Sequence, residues 1–313
     1  MLNIVKLRYL DPPIFVDVGQ IVAGYSLETS GNLGGQLSSA GAIQGNSLAM
    51  GGAVRFTDRP TVTYTPLTGD KFVKALMTPL PPQSVFSTIE SGWPADAILF
   101  ATVSRLNGLR NQEVSPTGFA NAEPRFLRVL ELMARIQSAG AVSLRMESDE
   151  QKHQTTLIAI RSKDISEETL ADIRELRTLL GLSPEATEFK LASGSLAAND
   201  REVAVKTRSL LHILGLMAAQ VEVPAEDMTR GRAMPGLDEA NKGSVAPVRL
   251  ARILSAKNKP ADAYVAVEYR DRWFWIEDGD LKSKRAFAFM MMLFTLMDTG
   301  EKQGLPILTI PTQ

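Results

Sequence analysis

The stretch "GGQLSSAGAIQGNSLAMGGAVRF", residues 34–56, decides how the first part of this 313-residue chain folds. It is nearly free of charge and rich in Gly, Ser and Ala, yet larger apolar residues recur in it at even spacing. A two-residue turn at Gly45-Asn46 would bring these apolar residues to one side of an antiparallel pair and the small and polar ones to the other. We therefore predict an amphipathic hairpin in which Ile43 pairs with Leu48 and Leu37 with Val54. The residues expected to make its contact with another subunit or a membrane are Leu37, Ile43, Leu48, Met50, Val54 and Phe56.

The predicted hairpin is long, with roughly ten or eleven residues per arm, near the length that a tilted strand needs to cross the hydrocarbon layer of a bilayer. Glu28 is the only charged residue between Val18 and Val54. Two strands alone leave unpaired backbone edges, which lipid does not tolerate, so one hairpin from each of several subunits would have to share a closed sheet or a collar. Packing on the protein's own core, or in an oligomer without lipid, stays open. The lack of an aromatic girdle counts against lipid contact.

The remaining pattern predicts an α+β fold. We expect a β-rich region over residues 1–116 and an α+β domain over residues 117–313, with a mobile loop near residues 225–246. The run "AILFATVSRL", residues 97–106, is typical of a buried strand. A second hairpin is predicted to turn at Asp271-Arg272. A helix from Leu281 to Asp298 and a strand "LPILTIP", residues 305–311, would end the chain.

Composition limits the chemistry. Apolar residues make up 44%, charged residues 22%, and the net charge of −1 does not favour nucleic-acid binding. The sequence has no cysteine and no recognisable nucleotide-binding or nucleophile motif. His153 and His212 have no partner at metal-ligand spacing. The acidic residues Glu277, Asp278 and Asp280 are better explained by a turn at Asp278-Gly279 and a helix cap at Asp280 or Ser283 than by a calcium loop. We predict no catalytic residue, no cofactor and no metal, although a constellation formed only by the tertiary fold stays open.

A second candidate site is the aromatic and basic cluster in "YRDRWFW", residues 269–275. Trp rings beside guanidinium groups can stack on bases or sugars, although a hairpin whose aromatic face is core is the competing interpretation. The residues of this candidate ligand patch are Arg270, Arg272, Trp273 and Trp275. They support an alternative function, a soluble periplasmic binding module.

Several stretches resemble a family of uncharacterised proteobacterial proteins usually called hypothetical lipoproteins. They are "NIVKLRYLDPPIFVDVGQIVAGYSLE", residues 3–28, "RPTVTYTPLTGDKF", residues 59–72, "SGWP", residues 91–94, and "WFWIEDGDLKSKRAFAFMMMLFTL", residues 273–296. The resemblance implies an export signal and a lipid-attachment cysteine ahead of the segment where this chain starts, and a location on the periplasmic side of the outer membrane. The uncapped start of the first helix agrees with the expectation that such a segment has been removed. No catalytic residues follow from the resemblance.

Together these observations favour a non-enzymatic, self-assembling structural component of the bacterial cell envelope. We expect a homo-oligomer that forms by strand pairing of the Gly/Ser-rich hairpin, with possible outer-membrane or envelope association.

Overall fold

A computed structural model describes residues 1–22, 25–36, 47–58, 61–66, 70–115, 118–148, 154–161, 165–237 and 248–297. Helices and strands are mixed along the chain, which confirms the α+β class. The described residues fall into two compact units. Residues 1–13 and 70–297 form the main unit, and residues 14–66 form the ribbon unit.

A mixed six-stranded sheet organises the main unit, in the order β6-β5-β12-β11-β10-β9. Strands β11 and β12 run parallel, and their neighbours pair antiparallel. Consecutive residues Val203, Ala204 and Val205 of β12 are all buried, as a central strand covered on both faces requires. The strands are β5 (Val103–Leu106), β6 (Leu109–Arg110), β9 (Val142–Ser148), β10 (Gln154–Ile160), β11 (Glu188–Ser193) and β12 (Glu202–Thr207).

Helices of the main unit bury their apolar stripes with this sheet and with one another. Phe126 and Ile136 of α5 and Ile173 of α6 are almost fully buried, which follows from the helical spacing of the apolar residues in both segments. Ser166 caps α6 by accepting a hydrogen bond from the Thr169 amide, and Gly181 ends it in the left-handed conformation. The helices are α1 (Leu2–Arg8), α2 (Asp70–Met77), α3 (Pro82–Glu90), α4 (Ala95–Thr102), α5 (Pro124–Ser138), α6 (Glu167–Leu180), α7 (Leu210–Ala218) and α8 (Ala225–Thr229).

A buried polar network joins the end of α4 to the segment after β12. The Arg208 guanidinium is 1% exposed and donates to the carbonyls of Phe100, Ala101 and Gln112. Asn111 is also buried and donates to Phe100 and to Val103. Burial lowers the pKa of Arg208 to about 9. This value is still above neutral pH, so the side chain remains charged. The network satisfies carbonyls that the end of a helix leaves without intrahelical partners.

Two of the sequence expectations are wrong in the main unit. Residues 97–102 are helical, within α4, and only the last four residues of "AILFATVSRL" form a strand. The described part of the expected loop, residues 225–237, begins with helix α8, and the amides of Met234 and Leu237 donate to the carbonyls of Arg8 and Ala219, whereas residues 238–246 lie outside the described residues. The expected boundary near residue 116 does not coincide with a structural division, because β5 pairs with β12 in one sheet.

A small three-stranded sheet, in the order β13-β15-β14, completes the main unit with the last described helix. These elements are β13 (Leu254–Ala256), β14 (Val265–Tyr269), β15 (Arg272–Ile276) and α9 (Leu281–Met297), and a further short pair is formed by β7 (Glu113–Ser115) and β8 (Gly118–Ala120). Helix α9 agrees with the predicted helix to within one residue. The predicted strand over residues 305–311 lies outside the described residues.

Candidate functional site

The ribbon unit consists of four strands that pair two by two. Strand β2 (Tyr25–Gln36) pairs antiparallel with β3 (Ser47–Asp58), and β1 (Val16–Val22) pairs antiparallel with β4 (Thr61–Pro66). From Gln20 onward the two pairings have the same register, because Val22 lies opposite Thr61 and, three residues further on, Tyr25 lies opposite Asp58. We call these four strands the β-ribbon.

A β-bulge keeps the apolar residues of the ribbon on one side. Between Val18 and Gln20 the register shifts by one residue, so the side on which successive residues lie changes at that point. Val18, opposite Tyr64, therefore lies on the same side as Ile21, opposite Val62. Without the extra residue, Val18 and Ile21 would lie on opposite sides, because an odd spacing separates them.

The distal part of the ribbon, β2 with β3, has two chemically different sides. On the side that we call the apolar side, the paired positions are Leu27 and Phe56, Thr29 and Val54, Gly31 and Gly52, Leu33 and Met50, and Gly35 and Leu48. On the side that we call the polar side, they are Ser26 and Thr57, Glu28 and Arg55, Ser30 and Ala53, Asn32 and Gly51, Gly34 and Ala49, and Gln36 and Ser47. Placing Glu28 directly opposite Arg55 is a favourable cross-strand arrangement.

The predicted hairpin exists, but the predicted register is wrong. Leu48 lies opposite Gly35 rather than Ile43, and Val54 lies opposite Thr29 rather than Leu37. Because Ser47 is already paired with Gln36, a two-residue turn at Gly45-Asn46 is excluded. The shift from the predicted register is an even number of residues, so Leu48, Met50, Val54 and Phe56 still share one side. Leu37 and Ile43 lie outside the described residues.

Both outer edges of the ribbon are open among the described residues. The strands form two-stranded sheets, with no third strand beside β1, β2, β3 or β4 in the described part of the chain. An unpaired strand edge presents a row of amide and carbonyl groups to which another strand can bind. The ribbon therefore offers two backbone edges and one apolar side.

The candidate ligand patch is divided between two faces of the small sheet. Trp273 and Trp275 alternate with the fully buried Phe274, so the two Trp residues share the face opposite Phe274. The Lys259 ammonium lies 5.3 Å from the centre of the Trp273 ring. The hairpin turns at Arg270-Asp271, both residues with positive φ, and not at Asp271-Arg272 as predicted. The register is again shifted by an even number of residues, so Val267, Tyr269, Phe274 and Ile276 still share one face, as expected.

Arg270 belongs to a separate cluster that anchors the segment before β1. Its guanidinium donates to Asp11 over 2.8 Å and lies 4.6 Å from the centre of the Tyr9 ring. Tyr269 also donates to Asp11, and Tyr9 donates to Asp227 over 2.8 Å. The hydrogen bond from Tyr269 is the main cause that holds the pKa of Asp11 below its usual value, whereas burial raises the pKa of both tyrosines. Arg270 therefore stabilises the main unit, and the ligand patch is reduced to its Trp face.

The role of Tyr9 and Asp11 was not predicted from the sequence. The signal available was "YLDPP", residues 9–13, where an acidic residue precedes two prolines at the end of a helix. The partners of Asp11, Tyr269 and Arg270, lie more than 250 residues away in sequence, so only the tertiary fold identifies them.

A polar cavity of about 230 Å³ lies beside α1 and the segment after α7. Its wall includes Arg8, Gln220, Glu222 and Arg249. The polar groups are engaged within the protein: the buried Arg8 donates to the carbonyls of Val221 and Met234, and Gln220 accepts from the amides of Leu250 and Ala251. The cavity is thus part of the packing between α1, residues 219–223, Leu237 and Arg249.

The other titratable candidates do not assemble a site. His212 is half-buried, its Nε2 lacks a hydrogen-bond partner, and burial lowers its pKa. Asp280 accepts hydrogen bonds from the Ser283 amide and hydroxyl, which agrees with its predicted capping role. His153 lies outside the described residues. Within the described ranges, no three His, Asp or Glu residues come together as metal ligands would.

Among the described helices, none combines the length and the apolar content that crossing a membrane requires. No family model matches the chain, and neither a curated protein nor a solved structure is significantly similar to it. The physical properties of the β-ribbon are therefore the basis on which a function can be inferred.

Proposed function

We propose that this protein is a non-enzymatic, self-assembling structural or scaffold component of the bacterial cell envelope. Copies associate by pairing the open edges of their β-ribbons. The observation that supports this proposal is that the ribbon strands pair only two by two, with no third strand beside them in the described part of the chain. Its location on the periplasmic side of the outer membrane is supported by the resemblance to envelope lipoproteins alone.

Strands β2 and β3 contain twelve residues each, and ordering them is costly. Ordering a residue costs about 1–2 kcal/mol of backbone entropy. A hydrogen bond contributes about 1 kcal/mol net, and a two-stranded ribbon forms only one row of them. Isolated two-stranded hairpins are marginal in water for this reason. Pairing with a neighbour on each edge adds further rows of hydrogen bonds without ordering new strands in the same chain.

Composition of the ribbon agrees with strand addition between copies. Glycines and alanines recur on both sides, for example Gly31 opposite Gly52 and Gly34 opposite Ala49, and small residues permit close approach of backbones. The charged pair of Glu28 and Arg55 on the polar side favours one register of the two strands. In this mode of association, the backbone supplies affinity and the alternation of residues supplies register.

The experiment compares the molar mass of the full chain with that of two proline variants, Thr29→Pro and Ser30→Pro, by light scattering at micromolar concentration. In consecutive residues of β2, one amide faces β3 and the other faces the open edge. The proline at the open edge should dissociate the oligomer while the ribbon remains formed, and the other proline should disrupt the ribbon itself. A monodisperse monomer for the unaltered chain would overturn the proposal.

The alternative function, a periplasmic binding module, now depends on the face that carries Trp273 and Trp275. It predicts quenching of tryptophan fluorescence by a soluble ligand such as an oligosaccharide or a nucleotide. It does not predict that proline at the ribbon edge changes the molar mass. The two functions can therefore be told apart with the same set of variants.

A further inference from the structure

We infer that the apolar side of the distal β-ribbon, β2 with β3, contacts the hydrocarbon layer of a lipid bilayer. This inference rests on the proposed pairing of ribbons between copies and adds the partner of their common apolar side. It concerns one side of the ribbon only. The polar side, with Glu28 opposite Arg55, faces away from the lipid.

The apolar side has the composition of a lipid-facing surface. From the pair Leu27 and Phe56 to the pair Gly35 and Leu48, no position on this side carries a charge, and Thr29 is the only polar residue. Charged residues at the centre of a bilayer are costly, and their absence from the five positions of β2 on this side, from Leu27 to Gly35, is what a lipid-facing strand requires. Ser26, Glu28, Ser30, Asn32 and Gln36 are all on the other side.

The described apolar side extends through much of the thickness of a bilayer. Nine residues of β2, from Leu27 to Gly35, extend over about 27 Å, which at a tilt of about 45° covers about 19 Å along the bilayer normal. The hydrocarbon layer is about 30 Å thick, so this part of the apolar side covers about two thirds of it.

The apolar side ends at a tyrosine and a carboxylate. One step towards the base of the ribbon from Leu27 and Phe56, the same side carries Tyr25 opposite Asp58. A tyrosine next to a carboxylate is suited to the boundary between hydrocarbon and headgroups, where aromatic residues concentrate. Tyr25 is therefore the aromatic residue at this end of the apolar side, next to the pair of Leu27 and Phe56.

Backbone chemistry links this inference to the proposed function. Unpaired amide and carbonyl groups cost several kcal/mol each in hydrocarbon, so a single ribbon with two open edges cannot stay there. Ribbons paired edge to edge with those of neighbouring copies have no such cost along their shared edges. Lipid contact therefore requires the oligomer, whereas the oligomer can form without lipid.

The test uses single cysteines, which are unique because the sequence has none. Each residue from Leu48 to Phe56 is replaced in turn by cysteine in the full chain and labelled with the environment-sensitive dye NBD. Vesicles of phosphatidylethanolamine and phosphatidylglycerol are then added. We expect emission to rise and shift to the blue at even-numbered residues and to stay unchanged at odd-numbered ones. A nitroxide attached to the lipid acyl chains should quench the same even-numbered set. Met146→Cys, on the 66% exposed Met146 of β9, is the control that should not respond.

A pair of charge variants gives an independent readout in vesicle flotation. Leu33→Lys introduces a charge on the apolar side and should weaken vesicle binding by roughly 100-fold. Asn32→Lys introduces the same charge at the neighbouring position on the polar side and should have little effect. The molar mass of each variant without lipid is measured in parallel.

The outcomes separate the two proposals. Alternating emission that is already present without vesicles and resists the nitroxide would mean that a second copy covers the apolar side, and it would overturn lipid contact while leaving self-assembly intact. Equal responses at even and odd residues would also overturn it. A monomeric mass of the unaltered chain without lipid would overturn the proposed function itself.

Discussion

The register of the β-ribbon gives the sharpest prediction. In the double variant Leu33→Cys with Met50→Cys, the two cysteines lie directly opposite each other, where Cα atoms are about 4.5–5.5 Å apart. This separation suits a disulfide. The bond would close a loop of about 18 residues and stabilise the ribbon by about 3 kcal/mol. We expect nearly complete oxidation, measured by counting free thiols in a mass spectrum of the chain, and greater resistance of residues 25–58 to proteolysis.

The matched control is Leu33→Cys with Val54→Cys. Both positions lie on the apolar side, but Val54 is paired with Thr29, four residues from Leu33. The offset is about 13 Å along the strand, beyond the reach of a disulfide. Oxidation of the control pair with free thiols in the first pair would refute the register and the division into apolar and polar sides. Dilution before oxidation keeps cross-links within one chain.

Three further predictions concern the main unit. Arg208→Met removes the donors to the buried carbonyls of Ala101 and Gln112 and should lower the free energy of unfolding by about 3 kcal/mol. Arg128→Met, at a solvent-accessible ion pair, should have a much smaller effect, and urea denaturation measures both. His212→Leu should remove a pH dependence of the stability. Because burial lowers the pKa of His212 in the folded protein, the unfolded chain binds the proton more readily, so the unaltered protein loses stability as the pH falls below about 6.5. Identical slopes of melting temperature against pH for both proteins would contradict this. Leu10→Gly should stabilise the protein by about 0.5 kcal/mol, because Leu10 has a φ of +58° after α1 and is 62% exposed, and a lower melting temperature would show that its side chain matters more than its backbone.

Both hairpins illustrate what alternation in a sequence can predict. In the ribbon and in β14–β15, the sides were assigned correctly and the pairing partners were not. A period of two distinguishes the sides of a strand, but every even shift of register preserves them. The turn must then be identified, and Gly45-Asn46 was a strong local turn signal that the observed pairing of Ser47 with Gln36 overrides.

Helix α4 illustrates a different cause of error. A short apolar run such as "AILFATV" has no periodicity that separates a buried helix from a buried strand. The start of this helix is stabilised from another element: the Gln137 side chain of α5 accepts from the Ala95 amide and donates to the carbonyls of Ile89 and Trp93. Such a cap is 42 residues away in sequence from the amide that it satisfies, so no local pattern indicates it.

The sequence by itself determined the α+β class, the amphipathic helices with their caps, and which ribbon residues share a side, because these depend on spacing over a few neighbouring residues. Only the tertiary structure decided the ribbon register, the bulge after Val18, and the separation of Arg270 from Trp273. Those features depend on backbone pairing and on contacts such as Arg270 with Asp11, which join residues far apart in the chain. The free energy that selects among locally equivalent arrangements comes from these distant contacts.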